Sequence, residues 1–234
     1  MHSDPNTHGV GHLLSRTRRG LHRHGVAGCF RRAGSLARQQ LYVHEAHRWY
    51  QLDIDWPRPT SRLPEGLRLH QAAYEELSLI EQLPTIGIEE ARSRHRAGAS
   101  LWMTLEGEPP ETRPVFACWT FFDRMPVMAA PGGWLQLPDR TAGLEDSVTA
   151  PTDRGRSIGG PSVFAVFDRL AESGIRRVIT KIAEDNGPAR HVAEKIGFKE
   201  IAGMEFTKLG SRRRVDVQPS GAGLSSLLVD CIAG

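Results

Sequence analysis

The chain has 234 residues, 39% of them apolar and 24% charged, with a formal charge of +3. That supplies one packed core with extensions, or at most two small domains. The longest apolar runs are about half of the roughly 20 residues that a bilayer-spanning helix needs, and no continuous apolar stretch follows the N-terminal arginines, so neither a membrane span nor a secretory leader is expected. Cys29, Cys118 and Cys231 are odd in number and far apart, which fits neither a disulfide framework nor a paired metal site, and a reducing, cytoplasmic setting is the expectation.

Residues 1–50 hold eight arginines against Asp4 and Glu45 only. Such an arm suits a nucleic acid or an anionic membrane, or is simply a solvated basic segment. Gly20, Gly25, Gly28 and Gly34 argue against a stable helix there. Residues 41–54 alternate aromatic and β-branched side chains and are a candidate strand. Residues 55–66 contain three prolines and end in Gly66, as a linker does.

From residue 67 the pattern becomes regular. A short strand over 67–71 precedes helical spacing over 72–83 and again over 87–98, where Gly98 is the expected stop. Strands follow over 100–107 and 113–122, then a long connection over 123–134, a short strand or turn near 131–138, and a strand over 142–151. A helix runs to about Ser173, with Phe164, Phe167 and Leu170 on one face. A strand over 174–185 leads to a helix over 186–198, with Asn186 as cap, Pro188 in the first turn, Val192 and Ile196 as its buried pair, and Gly197 as a left-handed stop. Strands over 199–210 and 212–218 close the order. The expected fold is α/β, with residues 1–66 as a basic extension and linker, 67–209 as the domain and 210–234 as a C-terminal strand and tail.

The segment "DRGRSIGG" (153–160) opens the helix that follows the 142–151 strand. A helix N-terminus offers unpaired N–H groups and about half a positive charge, and glycines let an anion approach the backbone. Gly155, Gly159 and Gly160 supply access, Arg154 and Arg156 charge, and Ser157 a hydroxyl. A Walker loop would need a lysine that is absent, and the glycine spacing does not make a dinucleotide fingerprint. A glycine turn with solvated arginines accounts for the segment equally well when it is taken alone.

Three further features give the segment a context. Thr149-Ala150-Pro151 ends the preceding strand, Arg154-Gly155-Arg156-Ser157-Ile158-Gly159 follows, and Asn186 with Ala189 and then Gly197-Phe198 comes 32 residues after Arg154. This pairing resembles the GNAT superfamily of acyl-CoA-dependent N-acyltransferases. Ser157 departs from it by standing where the family has a glycine. The resemblance implies a mixed, mostly antiparallel sheet flanked by helices. It implies acetyl-CoA or another acyl-CoA as the acyl donor, and a small-molecule or protein amine as acceptor. It puts the pyrophosphate on the backbone of Arg154, Gly155, Arg156, Ser157, Ile158, Gly159 and Gly160. The pantetheine arm would lie on the strand edge at Val148, Thr149 and Ala150, with Asn186 nearby.

Transfer to an amine needs a base for the ammonium proton and a donor for the developing oxyanion. The acids nearest the cofactor strand are Glu145 and Asp146, which alternation puts on opposite faces, Glu145 with Gly143, Ser147 and Thr149. The resemblance favours Glu145, because the family's usual base position corresponds to Gly143. The family's general-acid tyrosine corresponds to Ala193 and its other carboxylate position to Lys181, so neither group is present. Trp102, Trp119, Phe121, Phe122 and Trp134 are candidates to line the acceptor pocket, though most suit a core equally well. A catalytically silent acyl-CoA sensor is the alternative that Ala193 raises.

Overall fold

The computed structural model of the protein describes residues 42–54, 62–108, 111–127, 133–210 and 212–219. The basic arm over 1–40, Cys29 and Cys231 lie outside the described residues. Among the described residues there are ten strands: β1 (Tyr42–Asp53), β2 (Leu67–Gln71), β3 (Ser100–Glu106), β4 (Arg113–Phe121), β5 (Arg124–Pro126), β6 (Trp134–Gln136), β7 (Thr141–Thr149), β8 (Arg177–Ala183), β9 (Lys199–Leu209) and β10 (Arg212–Pro219). The helices are α1 (Ile88–Arg96), α2 (Gly159–Glu172) and α3 (Gly187–Ile196). No helix among the described residues is long and apolar enough to cross a membrane.

The chain divides into two compact units, Met1–His44 with Phe206–Arg214, and Glu45–Glu205 with Val215–Gly234. In the smaller unit His44 Nδ1 lies 3.3 Å from Thr207 Oγ1. The larger unit holds β2–β8 entire and most of β1 and β9, and the strands of the sheet follow the order β10-β9-β1-β8-β7-β4-β3-β2. Its described pairs are antiparallel except β7 and β8, which run parallel on either side of α2. This is the expected mixed, mostly antiparallel sheet with helices against it. The sheet also reaches back before residue 67. Trp49, Tyr50 and Leu52 of β1 are buried, and His47–Asp53 pair with Ala183–Arg177 of β8, so the boundary expected at residue 67 leaves out a strand of the sheet.

The helix expected over 72–83 is a 3-10 segment, Tyr74–Gln82. Its start is fixed by Glu76, which accepts from the Ala73 amide at 2.8 Å and lies 2.8 Å from His70 Nε2. The Ala73 amide is the main cause that lowers the Glu76 carboxyl from its ordinary range. In α1, Glu89 and Glu90 open the helix while Arg94, His95 and Arg96 close it, which complements the helix dipole. Gly98 follows at φ 87°, as a left-handed stop requires.

Helices α2 and α3 share a core with the sheet. Val163, Val166, Phe167 and Leu170 of α2 and Ala193 of α3 pack with Tyr50, Leu52, Phe116, Cys118, Leu144 and Val178. In α3 the buried residue is Ala193, while Val192 is 51% exposed. The expected Val192–Ile196 pair is therefore wrong by about 100° of helical phase for its first member. Asn186 caps α3 by accepting from the Ala189 amide at 3.2 Å, and Gly197 ends it at φ 111°. On the opposite face Arg94 of α1 lies over the rings of Trp119 and Phe121, at 5.8 and 5.9 Å.

Candidate functional site

Strand β7 organises the site, and it changes partners along its length. Thr141–Leu144 pair with Arg177–Thr180 of β8. Beyond Leu144 and Thr180 the described pairing stops, although β7 continues to Thr149 and β8 to Ala183. The two strands therefore part, leaving a side of residues 145–149 that pairs with no strand there.

A bulge lies at the same place. Trp119 of β4 faces Glu145 and Ala117 faces Val148, so Asp146 and Ser147 together oppose the one residue Cys118. Asp146 takes a positive φ of 49°, which an Asp tolerates better than most residues. The extra residue breaks the alternation expected from the sequence. Glu145 shares a face with Val148, through their partners Trp119 and Ala117, and Thr149 shares the other face with Phe116. The expected grouping of Glu145 with Ser147 and Thr149 does not hold.

Glu145 and Asp146 have different surroundings. Glu145, with its side chain 11% exposed, is paired with Lys181 of β8 at 2.7 Å. Lys181 also donates to the Pro126 carbonyl at 2.8 Å and lies 5.9 Å from the Trp49 ring. Glu145 Oε1 is buried without a hydrogen-bond partner. Burial raises the Glu145 carboxyl above its ordinary range, and Lys181 opposes that rise. Asp146 is more open and receives Arg94 at 2.5 Å. Gly143 lies two residues before Glu145 on the same face, and a Cβ there would come 2.8 Å from Met125 Sδ. Met125, fully buried on β5, thus occupies the space of any side chain at that position. The signal that sequence reasoning missed here is Lys181, read only as a missing carboxylate.

The loop after β7 is braced from below. Asp153, 2% exposed, accepts from Arg113 at 2.6 and 2.9 Å, from Thr152 at 2.9 Å and from Arg156. Arg156 also reaches Glu106 at 2.7 Å, and Arg113 contacts Glu106 as well. The Arg113 hydrogen bonds hold the Asp153 carboxyl far below the usual carboxylate range. Two carboxylates therefore engage Arg156, whereas Arg154 has no ion pair among the described residues.

Above this brace, Gly155 has φ 83° and Ser157 φ 57°, and Ile158 then returns to helical angles. Successive residues of opposite hand turn their N–H groups inward to form an anion nest. The amides of Gly155, Ser157 and Ile158 donate to no backbone carbonyl among the described residues. The left-handed geometry explains why a glycine is usual at position 157 and why serine there carries strain. A Cβ on Gly159 would meet Thr149 Oγ1 at 3.5 Å, an ordinary van der Waals contact, so the start of α2 faces the end of β7 here.

Residues 115–198 match the model of the acetyltransferase (GNAT) family. That segment is similar to a GNAT acetyltransferase domain. The matched segment runs from β4 through α3 and contains the bulge, the parting strands, the loop and the Asn186 cap. Among solved structures the fold is similar to that of a Drosophila protein, with TM-score 0.50 and 13% identity over 79% of this chain and 58% of that one. It is also similar to a protein described as an acetyltransferase of the GNAT family from Novosphingobium aromaticivorans, with TM-score 0.50 and 15% identity over 74% and 68% of the two chains. An N-acetyltransferase from Sphaerobacter thermophilus gives TM-score 0.48 at 17% identity, over 82% and 58%. The chain thus spans 58% of the length of two of these proteins, and at such identities the likeness is one of fold. No curated protein matches the sequence significantly.

The site faces an open groove of about 450 Å³, lined by Pro84, Thr85 and Ile86 ahead of α1 and by Asp146, Ser147 and Val148 of β7. Of the aromatic candidates, Trp102, Trp119 and Phe121 are buried in the sheet, and Trp134 is 40% exposed. The connection over 123–134 is not structureless. Its Arg124–Pro126 pairs with Trp134–Gln136 as a hairpin, and Arg124 lies 4.8 Å from the Trp134 ring.

Proposed function

We propose that the domain transfers an acyl group, acetyl in the first instance, from acyl-CoA to an amine. The observation that carries this reading is the coincidence, at the end of β7, of strands that part and a nest of unpaired amides. An extended chain with a phosphate at one end needs both: a strand edge for its amides and a concentration of N–H donors for its anion. The residues present fit CoA. Val148, Thr149 and Ala150 would receive the pantetheine arm, with Asn186 near it. Gly155, Ser157, Ile158, Gly159 and Gly160 would receive the pyrophosphate, with Arg154 as the cation beside it. Arg156 supports the loop from beneath through Asp153 and Glu106, so its part in binding is to hold the nest in shape.

When bound, the acyl thioester supplies the activated carbonyl, so no protein nucleophile is needed. The chain's own task is to accept the proton of the incoming amine. Glu145 suits it better than Asp146, because its Oε1 has no partner while Asp146 is held by Arg94. The neighbouring Lys181 opposes the burial that favours the protonated form of Glu145. The amine would approach along the groove beside residues 146–148.

A second reading has its own observation. Lys181 engages Glu145, and the position of the family's general acid is the buried Ala193, which suits a protein that binds acyl-CoA and turns it over poorly. Calorimetry with CoA and thiol release over a panel of amines separate the two. Tight binding with release for at least one amine class supports the transferase. Tight binding with no release supports the sensor, and absent CoA binding overturns both. A cytoplasmic setting, a domain that takes in β1 as well as residues 67–209, and any anion contact by residues 1–50 remain parts of this proposal, the last testable by deleting residues 1–40.

A further inference from the structure

Arg94 connects α1 to the β7 bulge, whose Asp146 lines the groove. It lies on α1, is 14% exposed at its side chain, and bonds Glu90 at 3.0 Å on its own helix and Asp146 at 2.5 Å on β7. Its guanidinium covers Trp119 and Phe121 of β4. Trp119 is the β4 partner of Glu145, the residue immediately before the bulge. One planar cation thus contacts the bulged residue and the strand opposite it. The loop leading into α1 supplies the other wall of the groove, at Pro84–Ile86.

The bulged residue needs such a contact. Asp146 is a non-glycine residue with positive φ, and a regular β7 without the extra residue would move every later side chain to the other face. Val148 would leave the groove and Thr149 would leave its place opposite Gly159. Side-chain fixation from another element is a direct way to hold one register against the other.

We infer that Arg94 is a positioning residue that latches the β7 bulge through Asp146 and thereby sets the geometry of the groove in which the amine meets the acyl carbonyl. It touches neither substrate. Asp146 is then half of a latch and not the base. The kinetic part of this inference rests on the acyl-transfer reading above; the structural part does not.

The test uses the full chain with Arg94→Met, Asp146→Asn, the double variant and Arg94→Lys. The first readout is hydrogen exchange of the amides at 145–149. Arg94→Met and Asp146→Asn are each expected to raise exchange there by about tenfold or more, with the double variant no different from either single. The second is kcat at saturating acyl-CoA and amine, measured on folded protein. Both singles are expected to lose on the order of 10–100-fold, the scale of a misplacement near 1 Å, again without further loss in the double variant. Arg94→Lys keeps the charge but not the planar stack, and is expected to recover part of each effect. Unchanged exchange at 145–149 in both singles overturns the latch. So does loss of activity in Asp146→Asn with Arg94→Met at the wild-type rate, which would return Asp146 to the role of base. If the wild type releases no thiol with any amine, the transferase reading fails and the exchange result still decides the latch.

Discussion

Two buried carboxylates eight residues apart, Glu145 and Asp153, are treated in opposite ways. Asp153 is surrounded by donors: two arginines and a threonine hydroxyl satisfy it, and its carboxyl is held far below the ordinary range. Glu145 has a single lysine, one oxygen without a partner, and a carboxyl pushed up by burial. A fully satisfied carboxylate fixes a backbone, here the loop above it. A partly satisfied one keeps a lone pair for chemistry, at the cost of local stability. On the acyl-transfer proposal the difference makes Asp153 a part of the architecture and Glu145 the candidate for reaction.

The largest way to break this contrast is to remove the lysine. Lys181→Met leaves Glu145 buried beside no cation, and is expected to cost about 3–5 kcal/mol in denaturant unfolding. A cost below about 1 kcal/mol would mean that Glu145 is protonated or solvated in the folded protein, and the contrast would fail. Asp153→Asn comes next, at about 2–3 kcal/mol near neutral pH, reduced from the fully buried case because both arginines are nearly half exposed. The sign of its pH dependence follows from the lowered carboxyl. Folding gains from this group above the unfolded carboxylate range and loses that gain as pH falls through the folded value. The difference between wild type and Asp153→Asn should therefore narrow in acid. A gap that stays constant from neutral pH into acid would contradict the assignment.

Smaller substitutions sharpen the picture around the two acids. Gly143→Ala puts a methyl against Met125 and is expected to cost about 1–2 kcal/mol by overpacking, with Met125→Ala in the same chain recovering part of it. Ser157→Gly removes left-handed strain but adds freedom to the unfolded chain, so stability should change by less than about 1 kcal/mol. Ser157→Val, which cannot relax there, should cost about 1–2 kcal/mol. Thermal unfolding of the pair measures both, and equal stability of the Gly and Val variants would remove the case for strain at 157.

Much of the fold is legible in the sequence because its signals are local. Leu67–Gln71, α1, β3 and α2 appear close to where periodicity, caps and glycine stops put them, and Asn186 and Gly197 act at the two ends of α3 as read. The features that escaped are set from a distance. Asp146 at the bulge is bonded by Arg94, 52 residues earlier, and alternation alone misassigned the face of Thr149. Arg156 looked available to a phosphate because Glu106, its partner, lies 50 residues away on another strand. Val192 and Ala193 were exchanged because a small residue, not a large one, faces the core beneath α3. The phosphate-loop residues stood out by composition. The Glu145–Lys181 pair did not, since a lone acid and a lone lysine carry no spacing signal.

The central claim is that CoA lies between the end of β7 and the start of α2. Gly159 faces Thr149 across that gap, and a branched side chain there would project into it, so the most direct measurement is calorimetric titration of CoA into the wild-type protein and Gly159→Val, with circular dichroism as the check on folding. The account predicts binding by the wild type and at least tenfold weaker binding by the folded variant, about 1.4 kcal/mol or more. Equal affinity in the two proteins, or no binding by the wild type, would contradict it.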